Sequence, residues 1–268
     1  MRIPYNTKDI ILRIDNNSKS GYDFDKKNPT FKKLIKTIDT DKWYYKDKKI
    51  FYNYNEYGYR GDKLSTINDN DYLLTFGCSY THGVGLENKH TYSYKLSKKL
   101  NLKNINLSVA GSGIQIQDLN TTLFVNYFKN IRLPKYVIYQ YPNDYRVTLS
   151  KHIEDELVIE SQSASSEMYD KNYYIENYYL KNQGEKYIKD VFIPLKINNI
   201  WESLGVPIFH ITFNDYIQEL KSDFQNFEIL NIQDDNHNIY ERARDLSHNG
   251  RKFHDKVYKT ILNKIKNG

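Results

Sequence analysis

Cysteine occurs once in 268 residues, at Cys78, which excludes an intramolecular disulfide framework and leaves no cysteine pair for a zinc knuckle. No His-x-x-x-His pair occurs either, so the sequence calls for no metal, and nothing in it calls for a cofactor. Long apolar runs are also missing. No stretch approaches transmembrane length, and the opening "MRIPYNTKDIILRIDNNSKSGYDFDKK" lacks the continuous apolar segment of a signal peptide. These absences predict a protein without a membrane partner, kept in a reducing cytoplasm or released from it by lysis, free or with a virion.

A dominant charge sign is lacking as well. The 39 basic and 33 acidic residues leave a formal charge of +6, and the lysines are scattered among acids. That mixture suits solubility better than a nucleic-acid groove, so no nucleic-acid partner is expected. The densest basic runs, 46–49 and 95–99, read as solvated faces. What the chain does have is 39% hydrophobic and 15% aromatic residues, 26 of them tyrosine, which argues against wholesale disorder. Its length suffices to bury a sizeable core.

Residues 1–65 are polar, Tyr-rich and weakly periodic, and read as an N-terminal extension. Within it "DKWYYKDKKIFYNYNEYGYRG" alternates enough for short strands or an extended arm. The texture changes at residue 71. "DYLLTFG" reads as a buried strand, "KHTYSYKLSKKLNL" as a helix, "KNINLSVAGSG" as strand and turn, "IQIQDLNTTLFVNYFKNI" as a helix, and "KYVIYQYPND" as a third strand. Residues 146–183 are polar and poor in pattern, and read as an insertion or lid. A helix resumes in "EKYIKDVFIPLKINNIWESLG", kinked or divided at Pro194. Strands "VPIFHITF" and "FEILNI" and a C-terminal helix from residue 249 complete the chain. Alternating strands and helices over 66–268 predict an α/β three-layer sandwich with a mainly parallel five-stranded sheet. Its ligand crevice would lie at the carboxyl ends of the strands.

Three strand ends should meet at that crevice: Ser79 after the first strand, Gly111 after the second and Asn143 after the third. "RDLSHNG" adds Asp245 and His248, three residues apart, before the last helix. Together they offer a nucleophile, a base, a carboxylate to orient the base and donors for an oxyanion. The turn "FGCSYTHG" holds two nucleophile candidates. Consecutive residues leaving a strand point to opposite sides, so if Ser79 faces the crevice, Cys78 faces the core as a small buried hydrophobe.

These residues resemble the blocks of the SGNH hydrolases, also called GDSL esterases and lipases. Gly77-Cys78-Ser79-Tyr80-Thr81-His82-Gly83 resembles the first block, and Asn106 with Gly111 five residues on resembles the second. Tyr141-Pro142-Asn143-Asp144 resembles the third, and Asp245-Leu246-Ser247-His248 the last. "NEYGYRGDKL", residues 55–64, is similar to a segment that precedes the first strand in many members. The resemblance spans roughly 53–265 and implies a flavodoxin-like sheet and a Ser79, His248, Asp245 triad. It also implies an oxyanion hole from the Ser79 and Gly111 amides and the Asn143 side chain, and a small-molecule or glycan ester as substrate. Two positions depart from the pattern: Cys78 stands for the family's Asp, and Tyr141 for the Gly of the third block, where it would narrow the crevice beside Asn143.

Each residue also has a plainer reading. Ser79 could be a helix N-cap, Asp245 a capping carboxylate beside an exposed His248, and Gly111 and Asn143 turn formers. His82 reads as an exposed loop residue or, with Tyr141, as part of the substrate pocket. His210 reads as a satisfied core histidine, and His254, six residues beyond His248, as no metal partner to it. Tyrosines 169, 173, 174, 178 and 179 could stack on sugar rings or form an aromatic satellite core. The expectation is a serine esterase that removes a short acyl group, with an O-acyltransferase or a degenerate glycan-binding module as alternatives.

Overall fold

The computed structural model describes residues 2–5, 11–12, 14, 26–27, 29–142, 146–153, 156–163, 188–213, 228–233 and 238–267. In chain order its elements are β1 (Arg2–Tyr5), α1 (Pro29–Leu34), β2 (Tyr72–Phe76), α2 (Ser79–His82), α3 (Tyr92–Lys99) and β3 (Lys103–Asn106). Then come α4 (Ile114–Phe128), β4 (Tyr136–Gln140), β5 (Arg146–Ile153), β6 (Glu156–Ser163) and α5 (Ile193–Ser203). The chain closes with β7 (Ile208–Thr212), β8 (Ile229–Asn231) and α6 (Arg251–Asn267).

The apolar run YLLTF forms β2, an interior strand of the sheet buried at all five positions. A strand covered on both faces has no solvent side to keep polar, so its hydrophobic run is continuous. The five-stranded sheet runs β3-β2-β4-β7-β8, and every pairing is parallel. Counted by its own strands the order is 2-1-3-4-5, the flavodoxin-like arrangement, whose topological switch falls between β2 and β4.

Side chains on either face sort as period-2 strands require. Leu74, Phe76, Val137 and Tyr139 pack with Phe124 of α4 and with Ile197 and Trp201 of α5. Leu73, Ile138 and Ile211 pack on the other face with Tyr92 and Leu96 of α3 and Phe253, Val257 and Ile261 of α6. Each fully buried Leu or Ile contributes about 1.5–3 kcal/mol relative to exposure. The expected three-layer sandwich is therefore the observed one.

Residues 146–163 carry pattern after all: β5 and β6 pair from Ile153↔Glu156 to Arg146↔Ser163, and β1 adds a third antiparallel strand on β6. The alternation of Val147 and Leu149 with polar neighbours and the apolar run Leu157-Val158-Ile159 were present but separated by charged residues. Tyr169, Tyr173, Tyr174, Tyr178 and Tyr179 lie outside the described residues. Pro194 sits in the first turn of α5, directly after a π turn at Ile188–Phe192, so the helical stretch is divided there as expected.

Residues 41–61 form a 3-10 turn and extended chain without a strand element. Trp43, Tyr45, Ile50 and Tyr52 pack with Phe31 against Leu86, Ala243 and Leu246, the loops around the candidate site. No helix among the described residues is long and apolar enough to cross a membrane.

Candidate active site

Strand β2 ends in Gly77-Cys78-Ser79, and the chain turns at once into the four-residue helix α2. A side chain at Gly77 has no room, because a Cβ there would fall 2.1 Å from Thr81 Oγ1. Cys78, not Ser79, is the N-cap, and it makes no side-chain cap bond. Ser79 is thus the first helical residue, which removes the reading of it as a capping serine.

Cys78 faces inward and is 1% exposed. Its backbone N–H and its thiol both donate to Gln140 Oε1, each at 3.1 Å. Thr81 Oγ1 donates to the same oxygen at 3.3 Å and pairs with Tyr92 OH at 2.8 Å. The cysteine therefore packs, in a polar knot that ties the end of β4 to the turn.

Two further residues hold the turn from below. Asn106, the last residue of β3, donates through Nδ2 to Thr81 O at 3.2 Å and accepts from Ser108 N at 3.0 Å. Arg60, 1% exposed, donates to the carbonyls of His82 (3.0 Å), Gly83 (2.6 Å) and Leu86 (2.5 Å), with its guanidinium 4.5 Å over the Tyr52 ring. These carbonyls lie at and beyond the C-terminal end of α2, where helix carbonyls lack intrahelical partners.

The Asp245 and His248 turn is closed locally. His248 Nδ1 lies 2.5 Å from Asp245 Oδ2, while Asp245 Oδ1 accepts from the amides of Ser247 (3.1 Å) and His248 (3.0 Å). Asp245 is buried, and its side chain is 2% exposed against 21% for His248, so the imidazole leads toward solvent and the carboxylate stands behind it. Burial pushes the Asp245 carboxyl up, yet the His248 imidazole and the two amides outweigh that and hold it below the ordinary value. Leu246 takes φ of 57°, a conformation that costs a branched L-residue about 1–2 kcal/mol. The turn is fastened at its ends by Ala243 N to His248 O at 2.9 Å, by the Arg242↔Asn249 bridge and by Arg242 Nη1 to Asn249 Oδ1.

Between the two turns, Arg244 N donates to Gly85 O at 3.1 Å, and Gly85 N donates to Tyr52 OH at 2.5 Å. The edge of the Tyr80 ring meets the His248 ring at a centroid distance of 5.2 Å. The ring of Tyr80, the residue after Ser79, thus brings the two turns into contact. Ser79 Oγ itself is buried and makes no hydrogen bond.

Gly111 has φ of +84°, with nothing within 4 Å of where a Cβ would stand, so backbone conformation and not crowding demands glycine there. Neither the Ser79 nor the Gly111 amide is bonded among the described residues. Asn143 lies outside them.

Two expectations are corrected. His82 is neither exposed nor open to a pocket: it is 5% exposed, stacked on Tyr54 and edge-on to Tyr52. Burial, aided by Arg60, lowers its pKa to about 3, so the ring is neutral. Tyr141 does not narrow the crevice. It is fully buried, stacked on His210, and its hydroxyl lies 2.6 Å from His210 Nδ1. His210 is the satisfied core histidine expected, with Nε2 3.0 Å from Asn198 Oδ1. His254 Nδ1 accepts from Tyr92 N at 3.2 Å. Among the described residues no group of three or more His, Cys, Asp or Glu could hold a metal ion. Gln140 and Tyr92 escaped the sequence reading. A glutamine ending the apolar run YVIYQ was the one signal for the first.

No protein-family model matches the chain, and no curated protein matches it at a significant level. Solved structures similar to it include an acetyl xylan esterase from Butyrivibrio proteoclasticus, with 12% identity, a TM-score of 0.49, and coverage of 74% of this chain and 64% of that one. A family two carbohydrate esterase from Clostridium thermocellum in complex with cellohexaose has 12% identity, a TM-score of 0.47, and the same coverages of 74% and 64%. A member of the lipolytic G-D-S-L family from Veillonella parvula has 11% identity, a TM-score of 0.40, and coverages of 72% and 96%. The chain thus spans somewhat less than two thirds of the first two. The likeness is remote, and the site's geometry stands by itself.

Proposed function

We propose that the protein is a metal-independent serine esterase of the SGNH type, acting on a short acyl ester, and that the ester is an acetyl group on a glycan. The observation that carries this reading is the buried Asp245 carboxylate on His248 Nδ1, in a turn that meets the Ser79 turn through the Tyr80 ring and Gly85. The carboxylate holds the imidazole in the tautomer that leaves Nε2 free to take a proton.

In the reaction Ser79 Oγ attacks the ester carbonyl and passes its proton to His248, while Asp245 stabilises the imidazolium. Charge developing on the carbonyl oxygen is met by the Ser79 and Gly111 amides and by the Asn143 side chain. Collapse of the tetrahedral intermediate expels the alcohol, which takes the proton from His248. Water, activated by the same imidazole, then releases the acid and restores the serine. A sugar hydroxyl in place of water would make the reaction an acyl transfer. The preference for glycan esters follows from the tyrosine-rich segment at 168–182.

One observation favours a second reading, a module of this fold that binds a glycan without cleaving it: Ser79 Oγ is covered and is not bonded to His248. Hydrolysis of p-nitrophenyl acetate and of acetylated xylan by wild type and Ser79→Ala separates the two. The esterase reading expects saturable turnover that disappears in the variant. Equal background rates in both proteins would leave the binding module.

A further inference from the structure

We propose that the antiparallel sheet of β1, β5 and β6 is a clamp on the oxyanion loop, with Arg146 as the positioning residue that fixes the Gly111 amide. This inference rests on the esterase reading for its catalytic consequence, though the clamp itself can be tested apart from it.

The need for a clamp follows from Gly111. Its φ is +84°, no atom crowds the position of a Cβ, and the turn around it is closed by Ser112 N to Val109 O at 3.0 Å, so the amide is aimed only as well as this turn is held as a unit. A donor contributes to oxyanion binding only if it is already aimed before charge develops. The aim has to come from the residues on either side.

On the sheet side the loop hangs from Gly77, at the end of the nucleophile strand. Val109 N donates to Gly77 O at 3.0 Å, and Ser112 Oγ donates to the same carbonyl at 3.4 Å. On the opposite side the contacts come from β5. Arg146 Nη1 donates to Ser112 O at 3.1 Å, directly beyond the Gly111 peptide. Thr148 Oγ1 donates to Gln115 Oε1 at 3.3 Å, in the first turn of α4.

The fit leaves no slack. A Cβ on Gly113 would come within 3.2 Å of Thr148 Oγ1 and 3.4 Å of Arg146 O. Strand β5 is in turn backed by β6 along eight residue pairs, and β6 by β1 along four. The hairpin, with β1 behind it, therefore meets through Arg146 and Thr148 a loop from which the site needs one correctly aimed amide. Arg146 acts through Ser112 and touches no reacting atom.

The test compares wild type with Arg146→Ala, Arg146→Lys and Thr148→Val, reading kcat and KM on p-nitrophenyl acetate and hydrogen exchange at the amides of 109–115. The clamp predicts that Arg146→Ala lowers kcat by about 100-fold with KM unchanged, as a misaimed group does. It also predicts faster exchange confined to 109–115, partial recovery in Arg146→Lys, and a smaller change of the same kind in Thr148→Val. Wild-type kcat or wild-type exchange in Arg146→Ala would overturn it, as would faster exchange spread evenly over the sheet. If Arg146→Ala does not fold, Arg146→Lys and Thr148→Val decide, and unaltered exchange at 109–115 in both overturns the clamp. A wild type inert toward every ester would sink the esterase reading alone, since the exchange pattern still judges the clamp.

Discussion

The Ser79 turn, the proposed nucleophile turn, and the Asp245–His248 turn, the proposed base turn, are held in opposite ways. The Ser79 turn is fixed from outside itself: Gln140 on β4, Asn106 on β3, Tyr92 on α3 and Arg60 from the N-terminal segment all bond to residues 78–86. The turn that carries Asp245 and His248 is fixed mainly by its own backbone and its immediate flanks, at the expense of a left-handed Leu246. The first is a product of the whole α/β sheet, and the second is a small prefabricated unit docked to it through Arg244 and Gly85. Damage should therefore spread differently from the two turns.

The largest effect is expected from Asp245→Asn, which keeps the shape of the base turn but presents an amide that cannot stabilise the imidazolium. It should lower kcat for p-nitrophenyl acetate by a factor on the order of 10⁴ while the urea unfolding midpoint moves little. An equal loss of kcat and of stability would deny the base turn its independence.

Gly77→Ala comes next and should act in the reverse sense. Its Cβ meets Thr81 Oγ1 and Thr81 Cβ, atoms of the polar knot, so it should destabilise the fold by about 1–3 kcal/mol and lower activity with it. Urea unfolding followed by fluorescence measures this, and an undiminished midpoint would show that the knot yields easily.

Cys78→Ala should do least. It removes one thiol bond to Gln140 while the backbone N–H keeps its own, a change of about 0.5–1.5 kcal/mol, and hydrolysis should persist. Loss of turnover on this change would shift the nucleophile from the serine to the cysteine.

How much of this was legible in the sequence follows the same division. The strands of the parallel sheet were readable because burial on both faces writes itself as uninterrupted apolar runs such as YLLTF and YVIYQ. The base turn was readable because its partners lie three residues apart in one short string. The supports of the nucleophile turn were not, since Gln140, Tyr92 and Arg60 reach it from 11 to 62 residues away, as single polar residues in apolar or aromatic surroundings. Tyr141 was misplaced for a related reason: a strand end next to the crevice still has one face toward the core, and His210 waits there. The β5 and β6 hairpin was hidden by Lys151, Glu156 and Glu160, which break its apolar pattern, and β1 by being four residues long.

The central claim is that Ser79 is the nucleophile activated by His248 and Asp245. Labelling the wild type with a fluorophosphonate and locating the adduct by mass spectrometry tests it most directly. The account predicts a single adduct on Ser79, abolished in His248→Ala as well as in Ser79→Ala. An adduct on Cys78, or labelling of Ser79 that is indifferent to the loss of His248, would contradict it.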